Sequence, residues 1–218
     1  MPDIFHAHRN GFWTPARKQS LYLGLFLILI AIFVQISAGQ YSARHAFLSP
    51  PESDLFLNIL PVVNMGFFLV GFIVLFWTFS CLLLVLRPRY LPFGLKAIAL
   101  FVICRAFFMN LTREGIYPGG IVPSVNNMGF GVYHLLTFQG NLFFSGHTGF
   151  PFLMALIFWD KKFWRWFFLI ATVLFGAAVL LAHVHYSIDV FAAPFIVYGV
   201  YVITAKLFPH DYVLLNGG

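Results

Sequence analysis

The chain is poor in charge. Of its 218 residues, 9% are Asp, Glu, Lys or Arg, and only seven are acidic, where a soluble domain carries about 25% charged residues. A water-facing surface cannot be covered from that inventory, which excludes a soluble globular enzyme. Cysteine is scarce too. Cys81 and Cys104 are the two thiols, both inside apolar runs. Two such residues exclude a disulfide framework and show no metal-ligand spacing, so both are expected as buried small hydrophobes. No cleavable signal pattern opens the chain, because its first twenty residues are polar and carry Arg9, Arg17 and Lys18. Internal repeats and low-complexity linkers are also missing, which argues against an appended soluble domain.

What the chain has in excess is apolar side chain, 61% of its residues, with 29 Phe. This predicts an all-α polytopic membrane protein, its phenylalanines in wide contact with lipid or acyl chains. A crossing helix needs about 20 apolar residues. Six segments qualify, at 21–39, 60–86, 93–111, 144–159, 163–182 and 188–208. The second is expected to begin late, near Gly66, and the fourth is short. The expected organisation is a cytoplasmic segment over 1–20, a six-span catalytic membrane domain over 21–208 and a short cytoplasmic tail over 209–218.

The formal net charge of +6 is explained by topology. With the N-terminus cytoplasmic, Arg9, Arg17, Lys18, Arg87, Arg89, Lys96, Lys161, Lys162, Arg165 and Lys206 lie on the cytoplasmic side. Arg44, Arg105 and Arg113 lie opposite. That asymmetry is the positive-inside pattern, and no nucleic-acid partner is needed to account for it. The opposite side also collects Glu52, Asp54, Glu114, Asp189, His45, His134, His147, His183 and His185. The chemistry is expected at this extracytoplasmic face. The loop from about 112 to 143 carries Gly119, Gly120, Pro123, Gly129 and Gly131, and either covers a pocket there or is a plain connector.

Two short segments carry the chemically capable residues. One runs from Leu181 through His183, His185, Tyr186 and Ser187 to Asp189, at the start of the sixth span. Ionisable groups at membrane depth are costly and usually functional. If the stretch is helical, His185 and Asp189 at i,i+4 share a face. The carboxylate then holds one ring nitrogen and leaves the other free to act as nucleophile or base. Alternatively, Ser187 caps the helix and Asp189 complements its dipole. His183, two positions from His185, points elsewhere and suits a hydrogen-bonding role. The other segment is Ser145-Gly146-His147-Thr148, where a loop meets the fourth span. Amides at such a junction cradle an anion, Gly146 allows close approach, and His147 can donate a proton to a leaving oxygen. Arg105, in the outer half of the third span, is expected to face the bundle and bind phosphate, or else to pair with Asp54 or Asp189. Arg113 just beyond it is a second phosphate-binding candidate or a solvated loop residue.

Taken together, these motifs resemble the sphingomyelin synthase family, a branch of the type 2 phosphatidic acid phosphatase superfamily. The family's Cys-Gly-Asp-x-x-x-Ser-Gly-His-Thr segment is similar to Gln139-Gly140-Asn141 followed by Ser145-Gly146-His147-Thr148, with Gln139 and Asn141 in place of its Cys and Asp. Its His-Tyr-Thr-x-Asp-Val is similar to the run His185-Tyr186-Ser187-Ile188-Asp189-Val190. Arg105, Met109 and Thr112 match its Arg-x-x-x-Met-x-x-Thr run, and Pro50 to Asp54 resemble its Pro-rich segment. The phosphatase signatures are missing: Arg87-Pro88 lacks its preceding Lys, and Ala178-Val179 stand where Ser-Arg would lie.

The resemblance implies a six-helix fold, no metal and no cofactor. It implies a two-step transfer of a phospho-headgroup from a glycerophospholipid to a lipid hydroxyl of ceramide or diacylglycerol type. In that scheme His185 is the nucleophile that forms a phosphohistidine, Asp189 orients it and His147 is the acid and base. Arg105, Ser145, Gly146, Arg113, Tyr186, His183, Asp54 and Asn141 are the substrate- and phosphate-binding set. Three alternatives differ in class. Water can resolve the same intermediate, giving a lipid phosphatase or phospholipase C-like hydrolase. Zinc could be held by His147, His183, His185 and Asp189. A channel or transporter would need paired interrupted repeats, which the chain lacks.

Overall fold

The computed structural model describes residues 12–46, 49–112, 115, 117–120 and 143–217. Among them there is no strand, and the architecture is the expected all-helical membrane bundle. Helix α1 is Pro15–Ala46. A π-helical turn, Phe68–Phe72, leads into α2, Ile73–Val85. Then come α3 (Leu91–Leu111), α4 (Gly146–Ile157), α5 (Lys162–Leu181), α6 (Ser187–Leu207) and α7 (Pro209–Leu215).

Five of the described helices are long and apolar enough to cross a membrane: Pro15–Ser42, Phe68–Val85, Leu91–Leu111, Lys162–Leu181 and Ser187–Leu207. The fourth span is a helix of only 12 residues. The second begins late, as expected, with Gly66 and Phe67 opening the helical run. Helix α1 extends beyond its predicted span at both ends, because hydropathy marks where lipid ends and not where backbone hydrogen bonding ends.

Helix α1 lies along α3, α4 packs between α5 and α6, and α6 returns against α3. Close approach is local. A Cβ on Gly149 of α4 would meet the Phe101 ring of α3 at 2.9 Å and Val197 of α6 at 3.1 Å. The core is largely aromatic: Phe93, Phe101, Phe144, Phe150, Phe168 and Phe175 are buried, and Phe76 stands edge-on to Phe150, Phe168 and Phe175. Other phenylalanines, among them Phe33, Phe67 and Phe195, lie on the outer surface. The expected contact with lipid thus accounts for only some of them. Cys81 departs from its expected burial. It is exposed on the outward face of α2, while Cys104 is half-buried.

Within the expected tail, Pro209–Leu215 form a helix docked on the bundle. Lys96 of α3 is buried, and its ammonium bonds the Asp211 carboxylate of α7 and the Ser20 hydroxyl of α1. Ser20 Oγ donates to the other Asp211 oxygen at 2.6 Å. Arg89 donates through Nε and Nη2 to the Leu215 carbonyl at 2.9 and 2.6 Å, closing the end of α7 as basic side chains commonly do. The opposite end of the bundle holds His147, His183 and His185.

Candidate functional site

Four segments converge there: the π turn before α2, the C-terminal half of α3, the start of α4 and the turn between α5 and α6. Helix α4 begins where Ser145, in extended backbone, caps it. The Ser145 hydroxyl accepts from the Thr148 amide at 3.4 Å, and the Ser145 amide donates to the Asp189 carbonyl at 3.1 Å. Ser145 is fully buried. Its segment is therefore held to α6 by backbone as well as by packing.

Gly146 has a specific reason to be glycine. A Cβ there would lie 3.2 Å from Arg105 Nε and 3.6 Å from Cζ. The guanidinium of α3 thus rests directly on the first turn of α4, as the expectation that Arg105 faces the bundle requires. Its Nε donates to the Phe144 carbonyl at 3.0 Å and Nη1 to the Met109 sulfur at 3.1 Å. Gln35 of α1 touches the same sulfur at 3.9 Å.

Next along α4, His147 donates through Nε2 to the Leu69 carbonyl at 3.2 Å. Leu69 lies in the π turn, a helix irregularity that often accompanies functional sites. The His147 ring centroid is 6.1 Å from that of His185, so one phosphoryl group between the rings could touch both.

His185 and Asp189 meet, but not on a helix face. Helix α6 starts at Ser187, with Tyr186 as its N-cap, so His185 precedes it. Asp189, in the third helical position, folds its carboxylate back over the cap. Oδ2 accepts from the Tyr186 amide at 3.1 Å and from His185 Nδ1 at 3.0 Å. The cap expected at Ser187 is instead Tyr186, and the Asp189 carboxylate closes the helix start and orients His185 with the same oxygen. Because Nδ1 carries the hydrogen, Nε2 carries the lone pair. It is buried and has no hydrogen-bond partner among the described residues. Burial and the nearby Arg105 guanidinium hold the ring's pKa below the ordinary histidine value, against the pull of the Asp189 carboxylate.

Asp54 is brought to α6 by another route. Its Oδ2 accepts from the Ser187 amide at 2.7 Å, and its Oδ1 accepts from Phe56 and Leu57 at 2.9 and 3.0 Å. Burial alone would raise its pKa, but these amides, with the Ser187 hydroxyl, outweigh that and lower it. Asp54 thus fixes the loop before α2 onto the start of α6 through backbone amides. Tyr186 ties the same loop to a second one: its hydroxyl accepts from the Glu52 amide at 3.0 Å and donates to the Gly115 carbonyl at 2.9 Å.

His183 closes α5. Its amide donates to the Leu180 carbonyl at 3.0 Å and that of Val184 to Val179 at 3.1 Å. These two bonds define a Schellman turn, and His183 fills its left-handed position with φ of 52°, where glycine is usual. The ring is buried, edge-on to Tyr117 at 5.3 Å.

The structure thus brings together Arg105, Ser145, Gly146, His147, His185 and Asp189, with Tyr186, Asp54 and His183 around the α5–α6 turn. Arg113 and Asn141 lie outside the described residues. Among the described residues, no three His, Cys, Asp or Glu side chains form a group that could hold a metal ion. Sequence reasoning missed the carbonyls of Leu69 and Phe144 and the ring of Tyr117. Carbonyl partners leave no trace in residue identity.

A search of curated proteins returns no match to the chain. Residues 140–206, less than half of the chain, match the family model described as PAP2 superfamily C-terminal. This segment contains Ser145, Gly146, His147, His185 and Asp189 together, and its match supports a likeness to the type 2 phosphatidic acid phosphatase superfamily, whose chemistry acts on phosphate esters of lipids.

Proposed function

We propose that the protein is a phospholipid headgroup transferase working through a phosphohistidine, with its site at the extracytoplasmic membrane face and its N-terminus in the cytoplasm. One observation carries this reading: the buried His185, whose Nδ1 is held by Asp189 and whose Nε2 is unpartnered beside His147. The lone pair of Nε2 attacks the phosphorus of a glycerophospholipid. The bond from phosphorus to the glycerol oxygen breaks, and His147 supplies the proton that this oxygen takes up. Asp189 stabilises the positive charge that develops on His185, and Arg105 faces the phosphoryl oxygens. In the second step, His147 takes the proton of a lipid hydroxyl as its oxygen attacks phosphorus and His185 leaves. The scheme needs neither metal nor cofactor.

The sphingomyelin synthase-like motifs support a lipid alcohol, of ceramide or diacylglycerol type, as acceptor. A hydrolase uses the same residues with water in the second step, and the match to a phosphatase superfamily favours keeping it as the second reading. Purified protein is to be incubated with a phospholipid and a fluorescent ceramide or diacylglycerol. A new fluorescent phospholipid supports the transferase. Free phosphate or phosphoalcohol with no new phospholipid sinks it in favour of the hydrolase. His185→Ala and His147→Ala are expected to abolish both products while the protein stays monodisperse, and wild-type-like turnover in either rejects the mechanism.

A further inference from the structure

Two unfavourable features coincide at His183. It occupies a left-handed backbone position that glycine would fill without steric cost. Its ring is only 5% exposed, yet neither Nδ1 nor Nε2 has a hydrogen-bond partner among the described residues. Buried polar groups are almost always satisfied, and a turn that only reverses the chain most often carries glycine. Backbone outliers of this kind collect at sites that bind ligands.

The surroundings fix the ring without satisfying it. The two Schellman bonds hold the His183 backbone from the α5 side. From the other side, Gly120 presses so close that a Cβ on it would lie 2.5 Å from the His183 carbonyl. The aromatic neighbours have their hydroxyls engaged: Tyr117 donates to Asn58 at 2.6 Å, and Tyr186 is tied to Glu52 and Gly115. Among the described residues of this corner, the imidazole is the polar group with both nitrogens still open to a ligand.

We infer that His183 binds the alcohol or amine end of the phospholipid headgroup and selects headgroups that carry a hydroxyl or a primary amine. This rests on the headgroup-transfer reading above. A neutral imidazole presents one N–H donor and one lone pair, on different edges of the ring. A hydroxyl answers both, and a primary ammonium answers the lone pair. A trimethylammonium group has no donor and no acceptor and leaves both nitrogens unsatisfied. The placement is consistent. His183 is two residues before the nucleophile, in the loop layer, whereas α4 leads from His147 into the membrane, where the glycerol and its acyl chains must lie. The headgroup end of a lipid attacked at His185 then points toward His183.

The test uses the full chain in mixed micelles with phosphatidylglycerol, phosphatidylethanolamine and phosphatidylcholine of identical acyl chains. New phospholipid and released phosphoalcohol are counted together, so transferase and hydrolase score alike. One hydrogen bond changes the rate roughly five- to ten-fold, so wild type should favour the glycerol and ethanolamine lipids over the choline lipid by about five-fold or more in kcat/KM. Asparagine tolerates left-handed backbone but is shorter, and His183→Asn should bring that ratio close to one. The ratio is taken within one preparation, so a loss of folded protein cancels. Equal rates on all three lipids by wild type, or an unchanged ratio in His183→Asn, overturn the inference and leave His183 with water alone. If His183→Asn is inactive throughout, His183→Gly takes its place, and failing both, the wild-type ranking decides. A wild type that turns over none of the three lipids refutes the headgroup-transfer reading instead.

Discussion

Replacing Asp189 by Asn changes one charge and little else, which makes it the most informative substitution in the site. Asp189 Oδ2 accepts two hydrogen bonds, from His185 Nδ1 at 3.0 Å and from the Tyr186 amide at 3.1 Å. An Asn carboxamide can sit in two orientations. With nitrogen in the Oδ2 position, it would face the Tyr186 N–H, a donor that cannot reverse. The oxygen is therefore forced into that position, His185 keeps its hydrogen on Nδ1, and the reactive tautomer survives. In the proposed mechanism, what vanishes is the negative charge opposite the imidazolium that would form as Nε2 takes the phosphoryl group. For unit charges 3.0 Å apart, at an effective dielectric of about 20, that interaction is about 5 kcal/mol, or roughly a thousand-fold or more in rate. Single-turnover measurements with a fluorescent phospholipid and excess enzyme should show this fall in the chemical step, with substrate binding little changed. An Asn variant within about ten-fold of wild type refutes the reasoning and leaves Asp189 as a helix cap. Asp189→Ala should differ in kind, because it strands the Tyr186 amide and His185 Nδ1 together and lowers thermal stability as well.

Gly146→Ala places a methyl 3.2 Å from Arg105 Nε, which must move the guanidinium by a few tenths of an ångström. Turnover should fall by about ten-fold with the melting temperature nearly unchanged, and full activity rejects the packed guanidinium. Arg105→Lys loses the forked geometry, and KM should rise about ten-fold or more. An unaltered KM assigns Arg105 a purely structural role. Because His185 has a depressed pKa, the neutral nucleophile persists below the ordinary value of about 6.5. The acid limb of the pH–rate profile should therefore lie below that value. The same group adds stability above pH ~6.5 that is lost as pH falls. A limb centred at or above ~6.5 contradicts this. Asp54→Ala removes the acceptor of three amides and should cost about 2 kcal/mol or more, read as a lower melting temperature. A wild-type melt sinks the proposed clamp.

The sequence made legible whatever rests on composition or on residue type at fixed spacing. Long apolar runs gave five spans and the short fourth. Ser145 was readable as the start of a helix, and Gly146 as a place of close approach. His185 and Asp189 were paired for a geometry that does not occur. The helical i,i+4 rule brings them together only if both are helical, yet the helix starts at Ser187 and the contact is made by a capping carboxylate. Contacts between distant segments were out of reach. Asp54 reaches Ser187, and Lys96 reaches Asp211, and no local pattern encodes either. The Schellman turn was hidden because its usual marker, glycine, is replaced by His183.

The shortness of α4 has a kinetic consequence. Its 12 residues cover about 18 Å of a hydrocarbon layer about 30 Å thick. Its far end runs into Asp160, Lys161 and Lys162, which belong at the interface. Its near end, with Gly146 and His147, is then sunk below the opposite surface. A lipid need not be lifted from the bilayer to react, since its phosphate only dips to meet the helix. Under the proposed headgroup transfer, the protein would then sample its substrate by lateral diffusion in two dimensions. Its rate should follow the mole fraction of donor lipid in the membrane and be indifferent to the amount of lipid per volume of solution.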